Sequence, residues 1–278
     1  MENQEKLKEM VREKYSIIAN QTKEMNESSC CGATSSCCGT DYTIFSEDYN
    51  HLSGYDSDAD LGLGCGIPTE FAQIKIGDTV IDLGSGAGND CFVARSLVGD
   101  TGTVIGIDFT PAMIVKAQEN VKKLGYENVS FRLGDIENMP ITANKADVII
   151  SNCVLNLVPD KQKAFKEIYR VLKPGGHLSV SDVVIKGNLP KEIQEAAEMY
   201  AGCVSGAVPK LEYLKMMENA YLSNIKVSKE KEIVVPDEIL LKYLKPETLQ
   251  QFKVDEIGIY SITVYAEKPI SGCGCKSC

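Results

Sequence analysis

The stretch TVIDLGSGAGND, Thr79–Asp90, decides the fold class of this protein. A short apolar run comes first and ends in a turn that carries Gly84, Gly86 and Gly88. The segment that follows, CFVARSLVG, has helical spacing. Glycines directly after a strand let the backbone approach a ligand closely. The stretch is therefore interpreted as a strand, a ligand-binding turn and a helix.

Strands and helices continue to alternate beyond this turn. GTVIGIDFT is a strand that ends at Asp108, and PAMIVKAQENVKKLG and KQKAFKEIYRV are helices between the further strands VSFRL, ADVIISN and HLSVSDVV. This order predicts an α/β protein with a doubly wound, mostly parallel, Rossmann-like sheet. Ligands bind outside the carboxyl ends of such strands, so the Gly-rich turn, Asp108, Asp135 and Cys153 are expected to face one crevice.

The residues at these strand ends favour one nucleoside cofactor. Asp108 can accept two hydrogen bonds from a ribose diol, while Asp135 can meet an adenine amino group and Ile136 can pack on its ring. The glycine spacing is G-x-G-x-G rather than the G-x-G-x-x-G of dinucleotide sites. An anionic Asp82 ahead of it suits a cationic group better than a pyrophosphate. S-adenosyl-L-methionine, whose methionine end is cationic, is the predicted cofactor.

Composition limits the classes of function. The chain has 278 residues, of which 44% are hydrophobic and 24% charged, enough for one sizeable core. A net charge of −10 disfavours nucleic acid as a partner. No apolar run reaches the roughly 20 residues of a membrane helix, and the charged opening has no signal-peptide core. A cytoplasmic protein without a membrane partner is expected.

Cysteine is unusually abundant. Eleven cysteines in a cytoplasmic chain indicate metal, metalloid or redox chemistry rather than disulfide staples. Only two histidines are present, which disfavours a His-rich zinc site and a histidine general base. The cysteines form an N-terminal cluster, a C-terminal cluster and a set of single residues: Cys30, Cys31, Cys37 and Cys38; Cys273, Cys275 and Cys278; Cys65, Cys91, Cys153 and Cys203.

Several motifs carry a family resemblance. DLGSGAGND, IGIDFTPAMIVKAQ, GDIENMP and RVLKPGGHLSVSD resemble the successive motifs of class I S-adenosylmethionine-dependent methyltransferases. LGLGCGIP and SNCVLNLVPDK resemble the arsenite methyltransferase family in particular, and the resemblance runs from about Leu61 to Gly206. It implies a cofactor site made of Asp82, Gly84, Ser85, Gly86, Gly88, Asp108, Met113, Asp135, Ile136 and Asn152.

The resemblance also implies the metalloid chemistry. Cys65, Cys153 and Cys203 match the thiolates that hold trivalent arsenic in that family, and an N-terminal cysteine joins a disulfide during turnover. The predicted catalytic set includes Cys31 as the cysteine that forms this disulfide. Cys30, Cys37 and Cys38 are alternatives for the same role. Trivalent arsenic is soft and prefers a pyramid of three thiolates, which single cysteines from distant segments suit.

The implied activity is arsenite methylation in arsenic detoxification. The implied partners are arsenite or its glutathione conjugate and a thiol reductant such as thioredoxin or glutathione. Two alternatives stay open: a small-molecule C-, N- or O-methyltransferase with incidental cysteines, and a protein that sequesters arsenite. The first predicts activity that survives Cys153→Ser, and the second predicts arsenite binding without turnover of the cofactor.

Four regions are predicted along the chain. Residues 1–60 hold an N-terminal helix over Glu5–Lys23 and a Cys-rich flexible segment, and residues 61–187 form the cofactor-binding core. Residues 188–268 form a smaller C-terminal α+β lid, with the third arsenic ligand, helices over KLEYLKMMENA and DEILLKYLKPETLQQF, and an antiparallel edge strand in GIYSITVYAEKP. Residues 269–278 are a disordered Cys-rich tail of open role.

Overall fold

A single seven-stranded sheet organises the protein. The computed structural model describes residues 2–21, 26, 47–194, 206–254 and 257–270. The strand order is β3-β2-β1-β4-β5-β7-β6. The strands are β1 Thr79–Leu83, β2 Thr103–Asp108, β3 Val129–Leu133, β4 Ala146–Asn152, β5 Leu172–Lys186, β6 Ser223–Ile233 and β7 Gly258–Glu267.

The parallel part of the sheet is doubly wound, as the alternating pattern predicts. β1 lies between β2 and β4 and is parallel to both, so the strand order reverses at this point. Its residues from Val80 onward are buried on both faces, which explains why Val80, Ile81 and Leu83 do not alternate with exposed polar residues. The carboxyl ends of β1 and β4 therefore border the crevice where a ligand is expected.

Helices cover both faces of the sheet. They are α1 Glu2–Ala19, α2 Pro68–Phe71, α3 Asn89–Val98, α4 Pro111–Leu124, α5 Lys161–Val171, α6 Lys191–Gln194, α7 Lys210–Asn219, α8 Asp237–Leu240 and α9 Pro246–Val254. α3 begins directly after Gly88, whose φ of 104° makes the sharp turn out of the glycine-rich loop. α5 is capped by Asp160, which accepts the backbone N–H of Lys163. α4 ends at Gly125 in the left-handed conformation.

The C-terminal region extends the same sheet. β7 pairs antiparallel with β5 and β6 pairs antiparallel with β7, which confirms the predicted edge strand. The prediction of a single helix over Asp237–Phe252 is wrong, because α8 ends at Leu240 and α9 begins at Pro246. Proline lacks the N–H that a continuous helix needs but is well suited to a first turn.

Several predicted features lie outside the described residues. Cys203, Cys31 with the other three N-terminal cluster cysteines, and the Cys-rich tail are among them. The N-terminal helix is present but spans Glu2–Ala19 rather than Glu5–Lys23. In the part of the chain that the structure describes, no helix has the length and apolar character needed to span a membrane.

Candidate active site

A cavity opens at the carboxyl ends of β1 and β4. Its empty volume is about 810 Å³, including space open to solvent. Gly84 and Gly86 adopt positive φ angles of 69° and 51° and bring the backbone of the predicted turn to the cavity wall. A Cβ on Gly84 would lie 2.3 Å from Val154, whereas a Cβ on Gly86 would meet nothing within 4 Å.

Asp108 lies at the end of β2, as predicted, and lines the cavity. Its carboxylate accepts the backbone N–H groups of Gly86 at 3.0 Å and Thr110 at 2.8 Å. Burial raises the pKa of Asp108, and these N–H donors counteract the rise. The carboxylate is thus held between the glycine turn and the start of α4, where it can meet a ribose diol.

Asp82 shares the cavity with a second carboxylate, Asp90, from the first turn of α3. Burial, followed by the charge of Asp90, raises the pKa of Asp82 well above its ordinary value, and Cys91 donates its thiol hydrogen to Asp82 at 3.2 Å. Burial also raises the pKa of Asp90, to about 6. The anionic Asp82 expected from the sequence therefore requires a cation beside it, which the sulfonium or amino group of the predicted cofactor would supply.

Asn152, the last residue of β4, connects the Asp90 carboxylate to Cys65. Its Oδ1 accepts the backbone N–H of Cys65 at 3.0 Å, while its Nδ2 donates to Tyr49 Oη at 2.8 Å and to Asp90 at 3.1 Å. Tyr49 Oη donates in turn to Asp90 at 2.9 Å. The side chain predicted to contact the cofactor is therefore also the side chain that holds the Cys65 backbone at the site.

Cys153 occupies a strained position directly after β4. Its φ is 59°, in the left-handed region that non-glycine residues rarely adopt. Its backbone N–H donates to Ser181 O at 2.8 Å, which anchors it to β5. The residue is buried, lines the cavity and belongs to the same apolar cluster as Cys65. Strain of this kind is concentrated at functional sites.

The structure places two of the three predicted arsenic ligands in one buried apolar cluster. Cys65 and Cys153 are buried thiols in one cluster, although they come from distant segments of the chain. Within the described residues, no group of three His, Cys, Asp or Glu side chains forms a metal site. Cys203, the third predicted ligand, lies outside those residues.

Of the remaining predicted cofactor residues, four border the cavity or a smaller one beside it, whereas Gly88 lines neither. Met113 and Ser85 line the main cavity, and Asp135 and Ile136 line the neighbouring cavity. The Asp135 carboxylate is already engaged, because Oδ2 accepts Lys8 Nζ at 2.6 Å and Oδ1 accepts the backbone N–H of Glu137. An adenine amino group at Asp135 would thus share the carboxylate with Lys8.

A buried acid lies behind the cysteine loop. Asp182 in β5 accepts Tyr213 Oη at 3.1 Å and the backbone N–H groups of Val183 and Asn156. Asn156 follows Cys153 in the loop, and its Nδ2 donates to Val183 O at 2.6 Å. Burial raises the pKa of Asp182 to about 7. Asp182 therefore connects β5, through hydrogen bonds, to the loop that carries Cys153.

Replacing Asp182 with asparagine should flatten the pH dependence of folding stability. The folded protein binds more protons than the unfolded chain between the ordinary Asp value of 3.8 and about 7, so stability falls as pH rises through that window. A single group contributes a slope of about 1.4 kcal/mol per pH unit there. Asn removes the titration, and Tyr213 can accept a hydrogen bond from its amide.

Urea unfolding at pH 5.5 and pH 8.0 measures this effect. We expect the free energy of unfolding to fall less between the two pH values for Asp182→Asn than for the wild type. Ser179→Ala, which removes a buried hydroxyl that donates to Pro68 O but no titratable group, is the control and should retain the wild-type slope. Equal slopes for Asp182→Asn and wild type would contradict the assigned titration.

The sequence interpretation missed Asp90, Lys8 and Tyr213. Asp90 is the last residue of the stretch Thr79–Asp90. Its place in the first turn of a helix could have indicated a role at the site. Lys8 and Tyr213 reach their partners across 127 and 31 residues of sequence. No local pattern predicts such contacts.

Comparisons with known proteins agree with this geometry. A family model described as a methyltransferase domain matches residues 74–221. An arsenite methyltransferase of Halobacterium salinarum is 39% identical over 280 residues, covering 95% of this chain and 67% of that protein. An arsenite methyltransferase of Aquipseudomonas alcaligenes is 30% identical over 259 residues, covering 89% of this chain and 72% of that protein.

A solved structure gives the same result. The crystal structure of an arsenic(III) S-adenosylmethionine methyltransferase from Chlamydomonas reinhardtii aligns with a TM-score of 0.63 and 34% identity, covering 75% of this chain and 68% of that one. The chain therefore belongs to the arsenite methyltransferase family.

Proposed function

We infer that this protein transfers a methyl group from S-adenosyl-L-methionine to trivalent arsenic held by cysteine thiolates. The observation that carries the inference is the presence of Cys65 and Cys153, from distant segments, in one buried apolar cluster, of which Cys153 also lines the cofactor cavity. Membership of the arsenite methyltransferase family supports the same substrate.

The residues of the cavity fit the cofactor. Ser85 and Asn89 line it, and Ser85 Oγ and Asn89 Oδ1 are buried without a hydrogen-bond partner among the described residues. Buried polar atoms are normally satisfied, so both are suited to a polar ligand. Asp108 provides an acceptor for a ribose diol, and Asp82 with Asp90 provides negative charge opposite a cationic group.

The chain's own residues hold the reacting partners in place. When bound, S-adenosylmethionine supplies an electrophilic methyl group on a positively charged sulfur. Asn152 links the Asp90 carboxylate to the backbone of Cys65, so one side chain connects the cofactor cavity to the thiol cluster. The hydrogen bond from Cys153 N–H to Ser181 O anchors the second thiol to the sheet.

Positioning is the main catalytic contribution. Arsenic held by thiolates keeps a lone pair, so no proton has to be removed from the nucleophile before attack. Holding two partners at attack distance can lower a barrier by about 7–11 kcal/mol. We assign Cys65, Cys153 and Cys203 as the arsenic ligands.

The redox partner is part of the same proposal. Transfer of a methyl cation to the arsenic lone pair leaves formally pentavalent arsenic, and its return to the trivalent state takes two electrons. A pair of protein thiols can supply them by forming a disulfide, which thioredoxin or glutathione then reduces by exchange. We assign Cys31, or another cysteine of the N-terminal cluster, as one member of that pair.

Arsenic speciation after incubation tests the proposed function. The purified protein is incubated with arsenite, S-adenosylmethionine, glutathione and a thioredoxin system, and methylated arsenicals and S-adenosylhomocysteine are quantified. We expect both products to accumulate together. Arsenite binding without S-adenosylhomocysteine would indicate a sequestering protein and contradict the proposal. Methylation of an organic acceptor but not of arsenite would contradict the assigned substrate.

A further inference from the structure

The N-terminal helix α1 lies across the cofactor crevice. Val11 and Tyr15 line the main cavity, and Lys8 lines the neighbouring cavity that contains Asp135. Val11 is 1% exposed, although it belongs to a helix near the end of the chain. Three side chains from successive turns of α1 thus form part of the walls of both cavities.

Lys8 attaches the helix to the strand-end loop after β3. Its ammonium group lies 2.6 Å from Asp135 Oδ2 and 2.9 Å from Glu137 Oε2, and the side chain of Glu137 is only 8% exposed. Burial alone would lower the pKa of Lys8, but the hydrogen bonds to both carboxylates raise it overall. Two charge-assisted hydrogen bonds at one partly buried cation form a strong contact.

The C-terminal end of α1 is held by apolar packing and a cap rather than by ion pairs. Ile18 and Ala19 are buried in a cluster with Leu61, Ala87 and Met113, which belong to the walls of the main cavity. Lys116 Nζ donates to Ala19 O at 3.0 Å and to Gln21 O at 3.0 Å, capping the end of the helix. This end is fixed to α4 by apolar contacts and a cap, whereas the Lys8 end is held by ion pairs.

We propose that α1 is the outer wall of the cofactor site and that Lys8 is a positioning residue that latches this wall over the bound cofactor through Asp135 and Glu137. The proposal rests on the proposed function, because it takes the two cavities as the cofactor site. Val11 and Tyr15 supply the apolar cover, and Arg12, whose guanidinium lies 5.7 Å from the ring centre of Phe109, adds a contact next to Asp108.

The latch sets the rate of cofactor exchange. α1 is joined to the rest of the protein by side-chain contacts and is not a strand of the sheet, so it can lift without breaking backbone ladders. Opening at the Lys8 end breaks the two ion pairs and exposes Val11. Asp135 thus connects closure of the helix to occupancy, because the same residue lines the cavity in which we expect the adenine to lie.

Binding of S-adenosylhomocysteine to the full-length protein tests the latch without arsenite or turnover. Lys8→Met keeps the length of the side chain but removes the charge, and we expect the dissociation rate to rise by about 10- to 150-fold, as for loss of a hydrogen bond to a charged group. Lys8→Arg should recover most of the wild-type rate. Lys6→Met, at an exposed lysine of the same helix, is the matched control and should leave the rate unchanged.

Two further measurements separate a latch from a purely structural role. Hydrogen exchange of the α1 amides should slow on ligand binding in the wild type and much less in Lys8→Met. Higher salt should accelerate dissociation more in the wild type than in Lys8→Met, because only the wild type has the Lys8 ion pairs to screen.

The outcomes distinguish this inference from the function on which it rests. Equal dissociation rates and equal exchange protection in Lys8→Met and wild type would overturn the latch while leaving the cofactor site intact. Failure of the wild type to bind S-adenosylhomocysteine at all would overturn the cofactor site and, with it, the role of α1.

Discussion

Cys153→Ser should abolish measurable methylation of arsenite while leaving S-adenosylhomocysteine binding close to that of the wild type. Serine keeps the size and backbone conformation of the residue but replaces a soft sulfur ligand with a hard oxygen, which trivalent arsenic binds poorly. We expect a fall of about a hundredfold or more in rate, since removing a group that only orients a metal ligand already costs about 10- to 100-fold.

Cys91→Ser is the matched control for this variant. Cys91 is also a buried thiol beside the cofactor cavity, but it lies in α3 and donates to Asp82. A serine hydroxyl can donate the same hydrogen bond, so activity should stay within a few-fold of the wild type. Full arsenite methylation by Cys153→Ser, or equal losses in both variants, would show that Cys153 is not an arsenic ligand.

Gly84→Ala and Gly86→Ala should lose different properties: Gly84→Ala both cofactor and arsenite binding, and Gly86→Ala cofactor affinity only. At Gly84 the φ angle of 69° and the 2.3 Å approach to Val154 mean that a Cβ displaces the residue next to Cys153. At Gly86 the φ angle is 51° and the Cβ position is open, facing the cavity. A left-handed alanine costs about 1–2 kcal/mol in either case. The added clash makes Gly84→Ala the less stable variant.

Cofactor and arsenite binding, measured separately, distinguish the two glycine variants. Gly86→Ala should lose at least about tenfold in S-adenosylhomocysteine affinity, since a methyl group that points into a ligand cavity overpacks it, and should still capture arsenite. Gly84→Ala should lose both kinds of binding. Wild-type affinity for S-adenosylhomocysteine in Gly86→Ala would contradict the placement of the cofactor at the glycine turn.

The fold and the main features of the site could be predicted from the sequence. Alternating strands and helices indicated the doubly wound sheet, and the rule that ligands bind at strand ends brought Gly84, Asp108 and Cys153 to one crevice. The charge state of Asp82 could not be predicted, because it depends on burial beside Asp90. The break between α8 and α9 could have been predicted from Pro246.

Local chemistry and the succession of strands and helices along the chain were determined by the sequence itself. A glycine turn after an apolar strand, an aspartate at the end of the next strand and single cysteines in particular motifs are properties of short segments, and their consequences follow from backbone conformation and ligand preference. The tertiary structure alone decided which residues meet. Asn152 holds the backbone of Cys65 and Lys8 closes α1 onto Asp135, because packing of the whole sheet brings together groups that are far apart in the chain and share no local pattern.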